Sequence, residues 1–222
     1  MRDARRERLS LPEPRARARV LAEYHTRTSN IELTPELTLA MTEAHHTPRH
    51  SYWSRLWPSG IALARWLLAE ETLPSHSTEL GCGLGLVSLA LAHRGVQAEG
   101  TDRVAHALAF SAHNAAQNGL SGFSTRLLDW SEPSGAPCSL VVGADLLYEP
   151  ESPARLFGVV ETSALLERGG RLVLSGPHRR RDLASQLIAR LVATSYHHRE
   201  SSVVVNWEGG VERIDLHVLS RP

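Results

Sequence analysis

A glycine-rich turn lies between an apolar strand pattern and an apolar helix pattern, and it narrows the possible folds of this chain more than any other segment. The turn runs Glu79-Leu-Gly-Cys-Gly-Leu-Gly85, after a predicted strand over about 76–80 and before a predicted helix over about 86–94. Glycine lets the chain turn sharply and lets backbone approach a ligand with no Cβ in the way. Asp102 ends the next predicted strand, where its carboxylate can accept hydrogen bonds from both hydroxyls of a ribose. A tight strand–helix turn with a helix-capping aspartate is the purely structural alternative.

Two nucleotide-binding motifs are excluded at this turn. The dinucleotide motif G-x-G-x-x-G needs glycine at position 86, where this chain has Leu86. The P-loop needs lysine, and all 24 basic residues of this chain are arginine.

Strand and helix patterns alternate after residue 58 and predict an α/β fold: a Rossmann-like, doubly wound sheet of seven strands that is mostly parallel. Further strands are expected over 123–128, 140–144, 171–175, 201–207 and 213–220. One helix is expected to begin after Ser59, which serves as its N-cap, and others over 103–118, near 151–166 and over 180–192. The last two strands, joined through Glu208-Gly-Gly210, predict an antiparallel hairpin. Residues 1–24 are expected to form a charged helix interrupted at Pro12 and Pro14, and residues 25–58 to be irregular. We therefore divide the chain into an N-terminal extension and lid, 1–58, and a main domain, 59–222.

Composition excludes several functional classes. With 42% hydrophobic and 22% charged residues, the 222-residue chain has the make-up of one globular domain. Its 24 basic and 24 acidic residues cancel, which gives no electrostatic basis for a nucleic-acid partner. Cys82 and Cys138 are too few for a disulfide scaffold or structural zinc site and are not expected to pair. No apolar run approaches the ~20 residues of a membrane span, and no signal peptide is evident. We expect a cytoplasmic monomer without a membrane partner.

Three stretches carry a specific family resemblance. They read SYWSRLWPSGIALARWLL, ELGCGLGLVSLALAHRGVQAEGTDR and VVGADLLYEP. The sequence resembles the seven-β-strand S-adenosylmethionine-dependent methyltransferases over about residues 31–180. Within them it resembles the protein-lysine methyltransferases of methyltransferase family 16, with features of the branches that act on chaperones and on the β-subunit of electron-transfer flavoprotein.

The resemblance implies roles for residues at the carboxyl ends of the strands. Asp145 and Tyr148 form a D-x-x-Y motif that the family uses at the acceptor nitrogen, so they are the candidate catalytic residues. S-adenosylmethionine is the implied cofactor, S-adenosylhomocysteine its product, and a protein with a target lysine the implied partner. The implied cofactor-binding residues are Trp57, Glu79, Gly81, Cys82, Gly83, Gly85, Asp102, Asp129, Trp130 and Ala144.

Methyl transfer from a sulfonium to an amine is a single in-line displacement that needs no metal. Positive charge moves onto the accepting nitrogen, so a fixed carboxylate such as Asp145 stabilises the transition state more than the ground state. A small-molecule amine or a protein histidine remains an alternative acceptor. A nucleic-acid acceptor is disfavoured, because amino-methylating DNA enzymes usually have [D/N/S]-P-P-[Y/F/W] where this chain has Asp145-Leu-Leu-Tyr148. A non-catalytic scaffold is disfavoured by the intact loop and acids.

Several conspicuous residues receive a structural interpretation. His45, His46 and His50 have an H-H-x-x-x-H spacing, but Pro48 breaks the helix that a zinc site of this kind needs, so no metal is expected. The run from His178 to Arg181 is either a solvated helix start or a contact for an acidic partner. Trp57 is equally compatible with a lid and with the core, whereas Trp53, Trp66 and Trp207 are expected in the core. Tyr52 receives no assignment.

Overall fold

The computed structural model describes residues 13–45, 51–131 and 136–222. Its helices are α1 (Pro14–Leu21), α2 (Pro58–Leu68), α3 (Leu86–His93), α4 (Ala105–Gln117), α5 (Ser152–Phe157) and α6 (Arg181–Ala193). Its strands are β1 (His25–Thr34), β2 (Leu37–His45), β3 (His76–Leu80), β4 (Gln97–Asp102), β5 (Phe123–Leu127), β6 (Cys138–Ala144), β7 (Leu166–Pro177), β8 (His197–Trp207) and β9 (Gly210–Ser220).

Seven strands form the main sheet in the order β5-β4-β3-β6-β7-β9-β8. Strand β9 is antiparallel to both β7 and β8, and the other neighbouring pairs are parallel. This confirms the predicted doubly wound sheet with a C-terminal hairpin. Strand order reverses between β3 and β6, and a ligand of such a sheet binds at the carboxyl ends beside this reversal.

The sheet is covered on both faces by apolar side chains. On β6, Leu140 and Val142 join the core shared with α2, α3 and α4, while Val141 joins the core beneath α5 and α6. Helix α3 is buried over residues 86–92, because its sequence is apolar or small all round. The glycine turn is therefore attached to one of the most deeply buried helices of the fold.

The expectation that residues 25–58 are irregular was wrong. Strands β1 and β2 form an antiparallel two-stranded sheet of their own, which packs on α4. The amide of Thr42 donates to Oδ1 of Asn114 at 2.9 Å, and the amide of Ala40 donates to Oδ1 of Asn118 at 2.9 Å. These partners lie more than 70 residues along the chain, so the local sequence carries little sign of the pairing.

Three helix boundaries also differ from the expectations. Helix α1 covers only Pro14–Leu21 of the helix expected over 1–24, and residues 1–12 lie outside the described part. Helix α2 begins at Pro58 rather than after Ser59; proline suits a first helical position because it lacks an amide hydrogen that would stay unpaired there.

The third difference is in the segment 151–166, which is not one helix. It comprises α5, a π-helical turn over Gly158–Thr162 and the start of β7 at Leu166, where the chain pairs with Cys138. Ala164 has a positive φ of 49°, which interrupts helical geometry before the strand begins. None of the helices in the described residues is long and apolar enough to cross a membrane.

Candidate active site

A cleft with a cavity of about 210 Å³ lies at the carboxyl ends of β3, β4 and β6. Parallel pairing brings these ends to one edge of the sheet, because Leu80 of β3 pairs with Thr101 and Glu79 pairs with Val142. Eleven of the twelve residues predicted from sequence line the cleft: Trp57, Glu79, Gly81, Cys82, Gly83, Asp102, Asp129, Trp130, Ala144, Asp145 and Tyr148. The sheet topology thus assembles in one place residues that are spread over nearly a hundred positions.

Gly85 does not line the cleft. It has a φ of 87°, and a Cβ on it would lie 2.9 Å from the Cβ of Ser111 on α4. Its side-chain-free backbone therefore allows the end of the glycine turn to pack against α4.

Gly83 allows the backbone of the glycine turn to pass close to the backbone of Trp53. Its φ is 51°, and a Cβ would stand 3.2 Å from the carbonyl oxygen of Trp53. Its amide donates to Oδ2 of Asp102 at 3.0 Å. The turn is thus held against both the preceding N-terminal segment and the acid at the end of β4.

Asp102 stands with its carboxylate at the end of β4, as predicted. Oδ2 accepts from the Gly83 amide, and Oδ1 accepts from the Val104 amide at 2.9 Å. Burial raises the pKa of this carboxyl, and the two backbone hydrogen bonds oppose the rise. Each oxygen retains further acceptor capacity toward the cleft.

Glu79 lies deeper than Asp102, with 3% of its surface exposed. Its Oε2 accepts from the amide of Ser88 at 2.8 Å and from the hydroxyl of Ser88 at 2.6 Å. Burial raises the pKa of Glu79 to about 7, against the lowering effect of these hydrogen bonds. Ser88 is in the first turn of α3, so this carboxyl satisfies an amide at the helix N-terminus and positions the helix that follows the turn.

Asp129 and Trp130 form the opposite side of the cleft. Asp129 is exposed, and its Oδ1 accepts from the amide of Ser131 at 2.9 Å and from the Ser131 hydroxyl at 2.8 Å. These bonds lower the pKa of Asp129. Trp130 is half-buried and comes within 4.0 Å of a Cβ built on Gly81.

Asp145 directly follows β6, at the carboxyl end of that strand, and lines the cleft. It has a positive φ of 56°, a conformation that aspartate adopts more readily than most side chains, and its amide donates to the carbonyl of Ser175 at 2.9 Å. Burial raises the pKa of its carboxyl. A carboxyl group in such surroundings becomes more stable in its ionised form when a cation approaches.

Three aromatic side chains line the same cleft as this acid, and we call them the aromatic wall: Tyr52, Trp57 and Tyr148. The ring of Tyr52 lies 5.4 Å from that of Tyr148 and 6.1 Å from that of Trp57, centroid to centroid. The indole of Trp57 donates to the carbonyl of Tyr52 at 2.9 Å. The sequence left Tyr52 unassigned, although it stands in the same SYWSRLWPSG stretch as Trp57. Because Trp57 is half-buried and lines the cleft, it is not simply a core residue.

Arginines line the cleft near the aromatic wall. The guanidinium of Arg180 lies 6.0 Å from the centre of the Tyr148 ring. Arg179 is paired with Glu212 on β9, and Arg55 is paired with Glu208 at the turn of the C-terminal hairpin. Arg55 was missed by the sequence analysis, because its partner lies 153 residues away.

The remaining predicted features lie elsewhere. Trp66 and Trp207 pack against the core as expected, whereas Trp53 packs partly on the core and also lines the cleft. Cys82 and Cys138 are buried and free. Of the three histidines with H-H-x-x-x-H spacing, His46 and His50 lie outside the described residues.

Comparison with protein families identifies the class to which this architecture belongs. The model of methyltransferase family 16, described as lysine methyltransferase, matches residues 35–193. The chain belongs to this family. Membership of this lysine methyltransferase family confirms the prediction of an S-adenosylmethionine-dependent methyltransferase and of its cofactor. A search of curated proteins found no match.

Solved structures share the fold of this lysine methyltransferase family member. Magnesium protoporphyrin IX methyltransferase from Synechocystis PCC 6803, solved with bound S-adenosylhomocysteine, aligns with a TM-score of 0.56 and 19% identity, over 73% of this chain and 82% of that one. TrmN from Thermus thermophilus aligns with a TM-score of 0.58 and 19% identity, over 82% and 57% of the two chains. A putative RNA methyltransferase from Pyrococcus horikoshii aligns with a TM-score of 0.60 and 12% identity, over 79% of this chain and 90% of that one. These similarities are evidence of the shared fold alone.

Proposed function

We propose that this methyltransferase transfers a methyl group from S-adenosylmethionine to the ε-amine of a lysine in a protein substrate. The observation that carries the proposal is the half-buried carboxyl of Asp145 in the same cleft as the aromatic wall, in a chain that belongs to a lysine methyltransferase family. An amine acceptor becomes cationic during transfer, and a carboxylate with nearby aromatic rings is an arrangement that favours a cation.

The cofactor half of the site is formed by the glycine turn and Asp102. The Asp102 oxygens each accept one backbone hydrogen bond and can accept more, which suits two ribose hydroxyls. Gly81 and Gly83 both have positive φ and line the cleft, and a Cβ would lie 2.7 Å from Leu146 at Gly81 and 3.2 Å from the Trp53 carbonyl oxygen at Gly83. Cys82 and Ala144 line the same cavity. In this proposal Asp129 and Trp130 lie on the adenine side of the cofactor, and Trp57 covers the cofactor. Glu79 and Gly85 act by positioning the turn.

When bound, S-adenosylmethionine supplies an electrophilic methyl group on a sulfonium. The residues of the chain perform the remaining work at the acceptor. Asp145 holds the incoming amine as its ammonium, and the proton leaves to water before transfer. As positive charge returns to the nitrogen in the transition state, the Asp145 carboxylate stabilises it, while Tyr148 and Tyr52 exclude water and orient the amine.

The N-terminal segment up to residue 58 serves as a lid in this proposal. Its support is that Tyr52 and Trp57 line the cleft and contact one another there. We further propose, from the sequence argument alone, a cytoplasmic monomer whose partner is the substrate protein, with no nucleic-acid partner.

The test uses labelled S-adenosylmethionine, a cell extract and the full chain without a lysine-containing tag. Because the chain has no lysine, a lysine-specific enzyme labels a partner protein and none of its own side chains. Acid hydrolysis of the labelled partner then yields methylated lysine. The variant Asp145→Asn abolishes labelling, whereas Asp182→Asn, at an exposed position on α6, does not.

Other labelling patterns would contradict the proposal in distinct ways. Label on the enzyme's own histidines or arginines, or methylated histidine in the partner, excludes a lysine-specific acceptor site. Label confined to small molecules of the extract favours a small-molecule N-methyltransferase on the same fold.

A further inference from the structure

A cluster of three potential metal ligands lies on the C-terminal hairpin, outside the cleft. We propose that His198 and Glu200 of β8 and His217 of β9 form a binding site for a divalent transition metal, with Zn²⁺ the best match to the two imidazoles and one carboxylate. The proposal is independent of the methyl-transfer chemistry. It also departs from the expectation of no metal, which was based on the histidines near Pro48.

Strand register places the three side chains on one face of the sheet. Glu200 is directly paired with His217, and His198 is two residues before Glu200 on the same strand. Side chains two residues apart on a strand point to the same face. One ligand atom from each residue lies within 4.8 Å of the others.

The separation of the two imidazoles suits a shared metal ion. Nε2 of His198 lies 3.2 Å from Nδ1 of His217. Two nitrogens bound to Zn²⁺ at the usual ~2.0–2.1 Å in a tetrahedron are separated by about 3.3 Å. A hydrogen bond between the two imidazole rings has a similar length, so the distance fits either a shared metal ion or a hydrogen bond. The carboxylate of Glu200 beside the rings supplies the third ligand that a metal site needs and a hydrogen-bonded histidine pair does not.

The cluster lies partly beneath the protein surface. His217 is buried and His198 is half-buried. The nearest acid on the same face of β9, Asp215, already accepts hydrogen bonds from His178 at 2.7 Å and from the Ser202 hydroxyl at 2.8 Å. Glu200 is exposed, so the cluster is open to solvent on its side, and a zinc site with three protein ligands takes water as its fourth.

Such a metal joins the edge strand β8 to β9. Within residues 13–45, 51–131 and 136–222, β8 lies at the edge of the seven-stranded sheet and pairs with β9 alone. A metal bound across the pair stabilises the folded hairpin by mass action, since the unfolded chain lacks the preformed site.

The test is calorimetric titration of ZnCl₂ into the full, chelator-treated chain without a histidine tag. We expect one Zn²⁺ per chain at this site, with affinity at least tenfold weaker in His198→Gln and in Glu200→Gln. The matched control is His197→Gln, whose side chain is exposed on the other face of β8 and whose loss leaves affinity unchanged. A second control, His46→Gln with His50→Gln, removes a competing group of histidines and also leaves the site intact.

A second measurement does not depend on total zinc uptake. Zn²⁺ is expected to raise the melting temperature of the wild type and of His197→Gln but not that of His198→Gln. Co²⁺ bound to the wild type is expected to give the intense visible absorption of tetrahedral coordination, absent in Glu200→Gln. The proposal is overturned if Zn²⁺ does not bind, or if His198→Gln and Glu200→Gln bind it as tightly as the wild type.

Discussion

Replacement of Glu79 by glutamine isolates the energetic cost of a buried charge next to the glycine turn. The wild-type carboxyl is 3% exposed and accepts two hydrogen bonds from Ser88. Glutamine has nearly the same size and retains an oxygen that accepts the same bonds. The variant therefore removes the ionisation of the group and preserves most of its packing.

The raised pKa sets the size and sign of the effect. Burial moves the pKa of Glu79 from 4.5 to about 7, so the folded protein binds this proton more tightly than the unfolded chain. The stability that the protonated Glu79 contributes is fully present below pH 4.5, the pKa of this group in the unfolded chain. It falls as the pH rises from about 4.5 to about 7, the pKa in the folded protein, and is absent at higher pH. At about 1.4 kcal/mol per pKa unit the loss is about 3 kcal/mol.

The assay is urea unfolding of wild type and Glu79→Gln between pH 4.5 and pH 8 without cofactor. Relative to the wild type, the variant is expected to gain about 3 kcal/mol of unfolding free energy across this range. Glu36→Gln, at an exposed site in the β1–β2 turn, controls for loss of a negative charge. A difference in unfolding free energy between Glu79→Gln and wild type that does not change with pH would show that burial does not penalise ionisation of this carboxyl.

Two further predictions concern the cleft, and a third concerns the packing beside it. Asp102→Ala is expected to weaken S-adenosylmethionine binding by about 1–3 kcal/mol in calorimetry, the usual loss for charge-assisted hydrogen bonds, and unchanged affinity would contradict its role. Asp145→Ala is expected to keep cofactor affinity within a few-fold while turnover collapses; the reverse result would assign it to the cofactor. Gly143→Ala places a Cβ 2.3 Å from Cδ1 of Leu146 and is expected to lower the unfolding free energy by about 1–3 kcal/mol, whereas Gly176→Ala, with no atom within 4 Å, has little effect.

Much of the site follows from the sequence, for a definite physical reason. A parallel sheet brings the carboxyl ends of its strands to one edge, so Gly81, Asp102 and Asp145 can be assigned to a common cleft once the strands are located. The glycine turn and the D-x-x-Y motif are local signals, readable without knowledge of contacts. The C-terminal hairpin was equally local, because two alternating segments flank a short glycine turn.

The remaining features depend on contacts between distant segments. The β1–β2 hairpin is bound by side chains of α4, and Tyr52 joins the aromatic wall because its ring packs beside that of Tyr148, which lies far along the chain. The histidine cluster exists only when β8 and β9 pair in one register, since a shift by one residue would turn Glu200 and His217 to opposite faces. The strand–helix order and the residues at the strand ends can be read from local patterns in the sequence. Which distant side chains meet cannot, because those contacts depend on packing and register that no local pattern encodes.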